Sequence, residues 1–223
     1  MTKKILVIVA HPDDEVLGCG ATIARHSDQG DEVALLVMAD GETSRKAEDW
    51  KKETRHEGLY SAANILGIKE VYVASFPDQK MDTIAILDII KRVEGKINEW
   101  KPSIIYTHHG GDLNLDHRIT HQAVMTACRQ QPDSIIDAIY AFEVLSSTEW
   151  ASSVETQFRP VRACDISKYL DIKLAALECY QEEMREFPHP RSFEAVRHLA
   201  KIRGSQYGVE AAEVFSIERD LWR

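Results

Sequence analysis

Ile5-Leu6-Val7-Ile8-Val9-Ala10-His11-Pro12-Asp13-Asp14-Glu15 is the stretch from which the rest of the chain is read. Its first half is apolar without alternation. That pattern suits a strand buried on both faces, as in parallel sheets. Its second half puts a histidine, a proline and three consecutive acids directly after that strand. The apolar run is too short for a signal peptide, and it ends in charge where a small-residue cleavage site belongs.

Outward from this strand, short apolar runs alternate with amphipathic stretches. A helix is expected over Glu15–Gln29, a turn at Gly30-Asp31 and a second strand over Glu32–Ala39. A helix over Lys46–Leu66 stops at Gly67, and a third strand covers Glu70–Ala74. Ile86, Ile89, Ile90, Val93 and Ile97 fall on one face of a helix over Thr83–Trp100. Pro102 breaks it, and a strand over Ser103–Thr107, a helix over His117–Gln130 and a strand over Ala138–Val144 follow. This order predicts an α/β fold, an open and mostly parallel sheet with helices on both faces. The last third reads as helices over Ser167–Glu186 and Ser192–Arg203, joined by Phe187-Pro188-His189-Pro190. No linker or repeat interrupts the chain, so residues 1–223 are expected to form one domain with a C-terminal helical elaboration.

Composition narrows the partners. There are 27 Lys and Arg against 36 Asp and Glu, a formal charge of −9, with no basic block. Nucleic acid and anionic membranes need a positive footprint and are disfavoured. No apolar run reaches the roughly 18 residues of a membrane span. The four cysteines, Cys19, Cys128, Cys164 and Cys179, are scattered without C-x-x-C spacing. They suit a reduced, cytoplasmic protein rather than a disulfide framework.

Ligands of open α/β sheets bind beyond the carboxyl ends of the strands. That rule selects the loops 11–15, 40–45, 75–82 and 108–117. In the first, His11 and Asp14 stand three residues apart. A helical turn after Pro12 brings such a pair to about 5–6 Å at Cβ, which two ligands of one ion can share. Asp13 then points elsewhere and is free to take a proton from water activated by the metal. A simple helix start explains Pro12 and one acid, but not the histidine and the remaining acids. In the loop 108–117, Gly110 and Gly111 free the backbone, and Asp112, Asn114, Asp116 and His117 gather polar groups. His117 can complete a His-Asp-His site with one open position, the catalytic arrangement of zinc. His117 and His121, spaced i, i+4, are an alternative metal pair. Of His108 and His109, one is expected to face the site.

His-Pro-Asp-Asp-Glu after the first strand, joined to Asp-Leu-Asn-x-Asp-His-Arg-x-Thr-His over 112–121, resembles the PIG-L/LmbE family of zinc-dependent N-acetylglucosaminyl deacetylases. Arg55-x-Glu57 with Ala62, Ala63 and Leu66-Gly67 is similar to the family, as are Phe76-Pro77-Asp78 with Asp82 and Arg203-Gly-Ser-Gln before Ala212-Glu-Val-Phe215. The resemblance implies a Rossmann-like fold, Zn2+ held by His11, Asp14 and His117, and Asp13 as general base. It implies an N-acetylated amino sugar or its conjugate as substrate, and homo-oligomeric assembly. Arg55, Asp78, Asp82 and His108 are the expected substrate contacts. Asn114 and Asp116 join Asp13 in the expected catalytic set. Several members carry a second histidine where Asn114 stands, and a tyrosine where Asp112 stands. An asparagine can donate to an oxyanion but cannot carry a proton, so the proton donor falls to Asp13 or to one of His108, His109 and His121.

Arg45 is a second candidate for a phosphate contact. Asp40-Gly41-Glu42 reads as a turn, His189 as structural, and Trp50, Trp100, Trp150 and Trp222 as packing residues. Two other functions are compatible with part of the pattern. One is a non-catalytic sugar-nucleotide-binding protein with a structural metal. The other is a metal-dependent glycosyltransferase, which the two histidines disfavour because magnesium and manganese prefer oxygen ligands.

Overall fold

The computed structural model describes residues 2–41, 52–152 and 157–222, with the backbone alone for 52–56. Arg45, Glu42, Trp50 and the start of the helix expected from Lys46 lie outside the described residues, as does the side chain of Arg55. The chain runs β1 (Lys4–Val9), α1 (Asp14–Asp28), β2 (Glu32–Ala39), α2 (Lys52–Leu66), β3 (Glu70–Phe76), α3 (Ile86–Trp100), β4 (Ile104–His108), α4 (Leu115–Ala127) and β5 (Ala138–Phe142). It continues through β6 (Arg162–Asp165), α5 (Leu170–Glu178), α6 (Phe193–Tyr207) and β7 (Ala212–Asp220). Short 3-10 turns lie at Met81–Thr83 and Thr148–Trp150.

The strands form one sheet in the order β3-β2-β1-β4-β5-β7-β6. The first five are parallel, and β7 runs antiparallel to both β5 and β6. β1 is central and apolar because both its faces are covered. Ile5, Val7 and Val9 belong to one core with residues of α1, α2 and α5, and Leu6 and Ile8 to another with residues of α3 and α4. The chain winds outward from β1 in one direction, then from β4 in the other. The crevice between their carboxyl ends is therefore the topological switch point, where such sheets bind ligands. Among the described residues, no helix is long and apolar enough to cross a membrane. All four cysteines are free.

The last third departs from the sequence reading. Instead of helices alone it also contributes β6 and β7, and α5 ends at Glu178. β7 begins Ala212-Glu213-Val214-Phe215, four residues all buried on the sheet, and its acid obscures the strand pattern.

That acid has a defined place. α1 breaks at Cys19, whose φ of −148° and ψ of 24° are not helical. Beyond the break the freed amides of Ala21 and Thr22 donate to the Glu213 carboxylate at 3.1 and 2.7 Å. Before it, the Leu17 carbonyl accepts from Lys173 Nζ at 2.8 Å, and Lys173 closes a 2.7 Å ion pair with Glu213. A buried ion pair thus satisfies the backbone groups that the break exposes, as a cap does at a helix end. Gly18 lets this segment close on β5, because a Cβ there would stand 2.2 Å from the Phe142 ring. The short first half of α1, which carries Asp14 and Glu15, is thereby held apart from the helix that follows.

Candidate metal centre

The loops after β1 and β4 meet as the topology requires. His11 Nδ1 lies 3.3 Å from Asp14 Oδ2, and His117 Nε2 lies 3.3 Å from the same oxygen. A tetrahedral ion with bonds of about 2.0–2.1 Å sets its ligand atoms about 3.3–3.4 Å apart. His117 Nε2 is buried without a hydrogen-bond partner. Unsatisfied buried polar atoms are rare in folded proteins, and a cation between these groups satisfies it. His11, Asp14 and His117 therefore fit a divalent metal, and their mixed nitrogen and oxygen set suits zinc.

Charge points the same way. Asp13, Asp14, Asp78, Asp112 and Asp116 are all at most 4% exposed. Among the described residues Arg191 is the side-chain cation paired with any of them. Burial opposes charge on His117, yet Asp14 and Asp112 lift its pKa to about 9. Burial likewise opposes charge on His11, and Asp116, Asp14 and Asp78 outweigh it and hold its pKa well above the usual value. Asp14 is kept ionised against its burial chiefly by the charge of His117.

Each histidine has its own carboxylate behind it. Asp112 Oδ1 lies 3.2 Å from His117 Nδ1. Asp112 is itself held by the Ser147 hydroxyl, by Thr148 Oγ1 at 2.6 Å and by the Asn114 amide at 2.8 Å. Its burial is outweighed by His117 and these hydroxyls, and its pKa falls to about 2. Asp116 Oδ2 lies 3.2 Å from His11 Nε2, and its carboxylate also accepts the Gln79 and Met81 amides at 2.9 and 3.2 Å. Carboxylates of this kind fix the tautomer and orientation of metal-ligating histidines. Asp116 thus touches His11 rather than the open side of the cluster. A second grouping of metal-capable atoms, His11 with Asp78 and Asp116, lies on this outer side of the His11 ring.

Asp13 sits at the N-cap of α1 with φ 106°, a strained conformation for a residue with a side chain. Its amide donates to Glu15 Oε2 at 3.1 Å, and Glu15 Oε1 accepts from the Tyr180 hydroxyl at 2.7 Å. Burial, with Asp13 adding to it, pushes the Glu15 pKa up to about 8. Arg191 Nη1 donates to Asp13 Oδ2 at 2.8 Å, and Arg191 Nε donates to Ser146 Oγ at 2.7 Å. Neither Arg191 nor Tyr180 carries a local motif that marks it in the sequence.

The remaining expectations divide. Asn114 caps α4, its Oδ1 accepting the Asp116 amide at 2.9 Å, which leaves Nδ2 as a donor, 3.4 Å from Gln79 Oε1 at the mouth of the site. Asp82 is exposed on the 3-10 turn, open to a ligand. Asp78 is buried, with Oδ1 3.2 Å from His11 Nε2, so it supports His11 before any ligand. The expected substrate contact of His108 is corrected. His108 is fully buried, stacked on His117 at 3.9 Å, with Nε2 accepting the Ala10 amide at 2.9 Å. Burial and the charge of His117 push its pKa down to about 4. It is a packing partner that keeps a neutral ring beside the cluster. The alternative pair of His117 and His121 is not among the metal-capable clusters of the described residues, and His121 Nδ1 bonds the His108 carbonyl at 2.8 Å. His189 Nδ1 accepts the Arg191 amide at 3.0 Å, and Trp150, half exposed, meets the His189 ring edge-on.

Residues 6–128 match the PIG-L family, described as GlcNAc-PI de-N-acetylase. The protein named uncharacterized deacetylase YaiS from Escherichia coli K12 is 34% identical over 181 residues, spanning 79% of this chain and 89% of its own. A probable N-acetyl-alpha-D-glucosaminyl L-malate deacetylase 2 from Bacillus cereus is 28% identical over 204 residues, 86% of this chain and 90% of its own. Among solved structures, the 4-carboxy-2-hydroxymuconate hydratase from Pseudomonas putida KT2440 superposes with a TM-score of 0.79 at 24% identity, covering 100% of this chain and 98% of that one.

Proposed function

The chain belongs to the PIG-L family, and from that premise we propose that it is a zinc-dependent hydrolase that removes the acetyl group from an N-acetylated amino sugar of the GlcNAc type, releasing acetate. A hydratase shares the fold, so the fold alone does not select the reaction, and the side chains must. The observation that carries the reading is a buried carboxylate, Asp13, pinned by Arg191 next in sequence to a cluster of His11, Asp14 and His117.

These three residues would hold the metal, which when bound polarises the amide carbonyl and lowers the pKa of water toward about 7. Asp13 accepts a proton from the attacking water, and the C–O bond forms. Asn114 Nδ2, its orientation set by the α4 cap, donates to the oxygen that gains negative charge. Asp13 then returns the proton to the departing nitrogen as the C–N bond breaks, so one carboxylate serves as base and then acid. Asp112 and Asp116 keep the two imidazoles in their ligand orientation. Arg55, whose side chain is outside the described residues, and Asp82 are proposed to contact the sugar. We also read residues 1–223 as one domain, since a single sheet takes strands from both ends of the chain.

The test is acetate and free-amine release from a panel of N-acetylated sugars by metal-loaded protein, with the bound metal identified by elemental analysis. Release that requires zinc supports the proposal. Binding of a panel sugar without release would leave the non-catalytic sugar-binding reading in its place.

A further inference from the structure

A second cavity lies away from the metal centre. It is about 380 Å³, within the range of small-molecule sites. The last two turns of α1, Lys3 ahead of β1, Tyr106 of β4, and β6 line it. At about 1.5 Å per residue its α1 lining begins roughly 12 Å beyond Asp14, and it shares no residue with the metal centre.

Its charge is out of keeping with a chain of net charge −9. Lys3, Arg25 and Arg162 all line it. Among the described residues neither Lys3 Nζ nor the Arg162 guanidinium forms an ion pair, and Arg162 lies 4.3 Å over the Tyr140 ring. Arg25 Nη1 bonds the Asp165 carbonyl at 2.5 Å, and its guanidinium also meets Cys164. Two carboxylates are near; each is partly satisfied by other donors, and Asp31 is also attracted by Lys3 and Asp165 by Arg25. Asp31 accepts the Lys3 amide at 2.9 Å and bonds His26 Nδ1 at 2.7 Å. Asp165 Oδ1 accepts the Ser167 amide at 3.0 Å and its hydroxyl at 2.5 Å. His26 Nε2 meets the Tyr106 hydroxyl at 3.0 Å, which adds a polar floor. Acids outnumber bases in this chain, yet three basic residues line one cavity, and among the described residues none of them is in an ion pair within 4 Å.

We propose that this cavity binds a small oxyanionic metabolite, a phosphate monoester or free phosphate, held by Arg162, Arg25 and Lys3. Arginine presents a planar fork that matches phosphate oxygens bidentately. The cavity leaves room beside the anion for an organic group.

Calorimetric titration of the metal-loaded protein in 150 mM salt tests this, with inorganic phosphate and glycerol 3-phosphate as probes. Saturable binding is expected, weakened tenfold or more by Arg162→Ala and lost in Arg162→Glu. Arg162 is exposed, so both variants keep the fold, and acetate release is unchanged in them. Tighter binding of the ester identifies an organic phosphate as ligand, and equal affinity identifies phosphate itself. Absence of saturable binding, or affinity untouched by both substitutions as for an anion sitting at the metal, overturns the proposal.

Discussion

The loops after β1 and β4 supply the metal-capable atoms, whereas residues 173–213 hold their neighbours Asp13 and Glu15 and the first turn of α1 in place. His11, Asp14 and His117 come from the first region. From the second, Tyr180 holds Glu15, Arg191 holds Asp13, and Lys173 with Glu213 secures the break in α1. The first region is dense in chemistry and closely spaced in sequence. The second acts through single side chains that reach 156 to 192 residues back along the chain. Ligand chemistry can thus be local, whereas preorganisation is a tertiary property.

Substitution at the base gives the largest expected effect on turnover. Asp13→Asn keeps the shape and removes the proton acceptor, so kcat falls by about 10²–10⁴ while zinc stays bound. Steady-state rates on a responsive N-acetyl sugar, with metal content on the same sample, check this. Unaltered turnover would take the base role from Asp13.

The ion pair comes next, and it tests the supporting region. Glu213→Ala leaves Lys173 as a buried uncompensated charge and frees the Ala21 and Thr22 amides. Breaking such a pair from one side costs about 3–5 kcal/mol. Adding Lys173→Met removes the stranded charge and returns part of that loss. Urea denaturation of the single and double variants measures both, and a double variant no more stable than the single would mean that the amides, not the charge, dominate.

Much of this division was legible in the chain itself. The unbroken apolar run of β1, the glycine stops and the 3.6-residue spacing in α3 follow from local rules, and the alternation of strands and helices that makes the sheet parallel up to β5 follows from them. His11 and Asp14 are visible because three residues of helical spacing bring them together, and His117 because β4 leads its loop to the same crevice. The partition of the acids was not legible. Asp112 serves His117 and Asp116 serves His11, a choice set by which ring nitrogen faces the ion. The partner of Asp13 was hidden because an arginine 178 residues away has no spacing relation to it. β6 has four residues and β7 opens with a buried acid, so neither displays the clean alternation by which strands are recognised. His108 looked like a site residue because it follows the strand expected over Ser103–Thr107, but it is the last residue of β4 and lies stacked on His117.

Asp112→Asn sharpens the comparison from within the loop. It retains the shape beside His117 Nδ1 and removes the charge, so zinc affinity drops by about 10–100-fold. Competition with a chromophoric chelator reads this directly.

The smallest expected effect is at Arg191, where the two regions meet. Its guanidinium bonds Asp13 Oδ2 and Ser146 Oγ and touches none of the metal-capable atoms. Arg191→Met keeps much of the side-chain volume and removes both bonds. Charge-assisted hydrogen bonds contribute about 1.5–3 kcal/mol, and only the share that orients Asp13 reaches the rate. A fall in kcat of roughly tenfold is expected, since about 1.4 kcal/mol of barrier is one decade. Zinc affinity should stay at the wild-type value, and Arg191→Lys should recover part of the rate through a single remaining hydrogen bond. If zinc affinity fell along with kcat, Arg191 would belong to the metal cluster itself, and the separation between a region that binds and a region that holds would not stand.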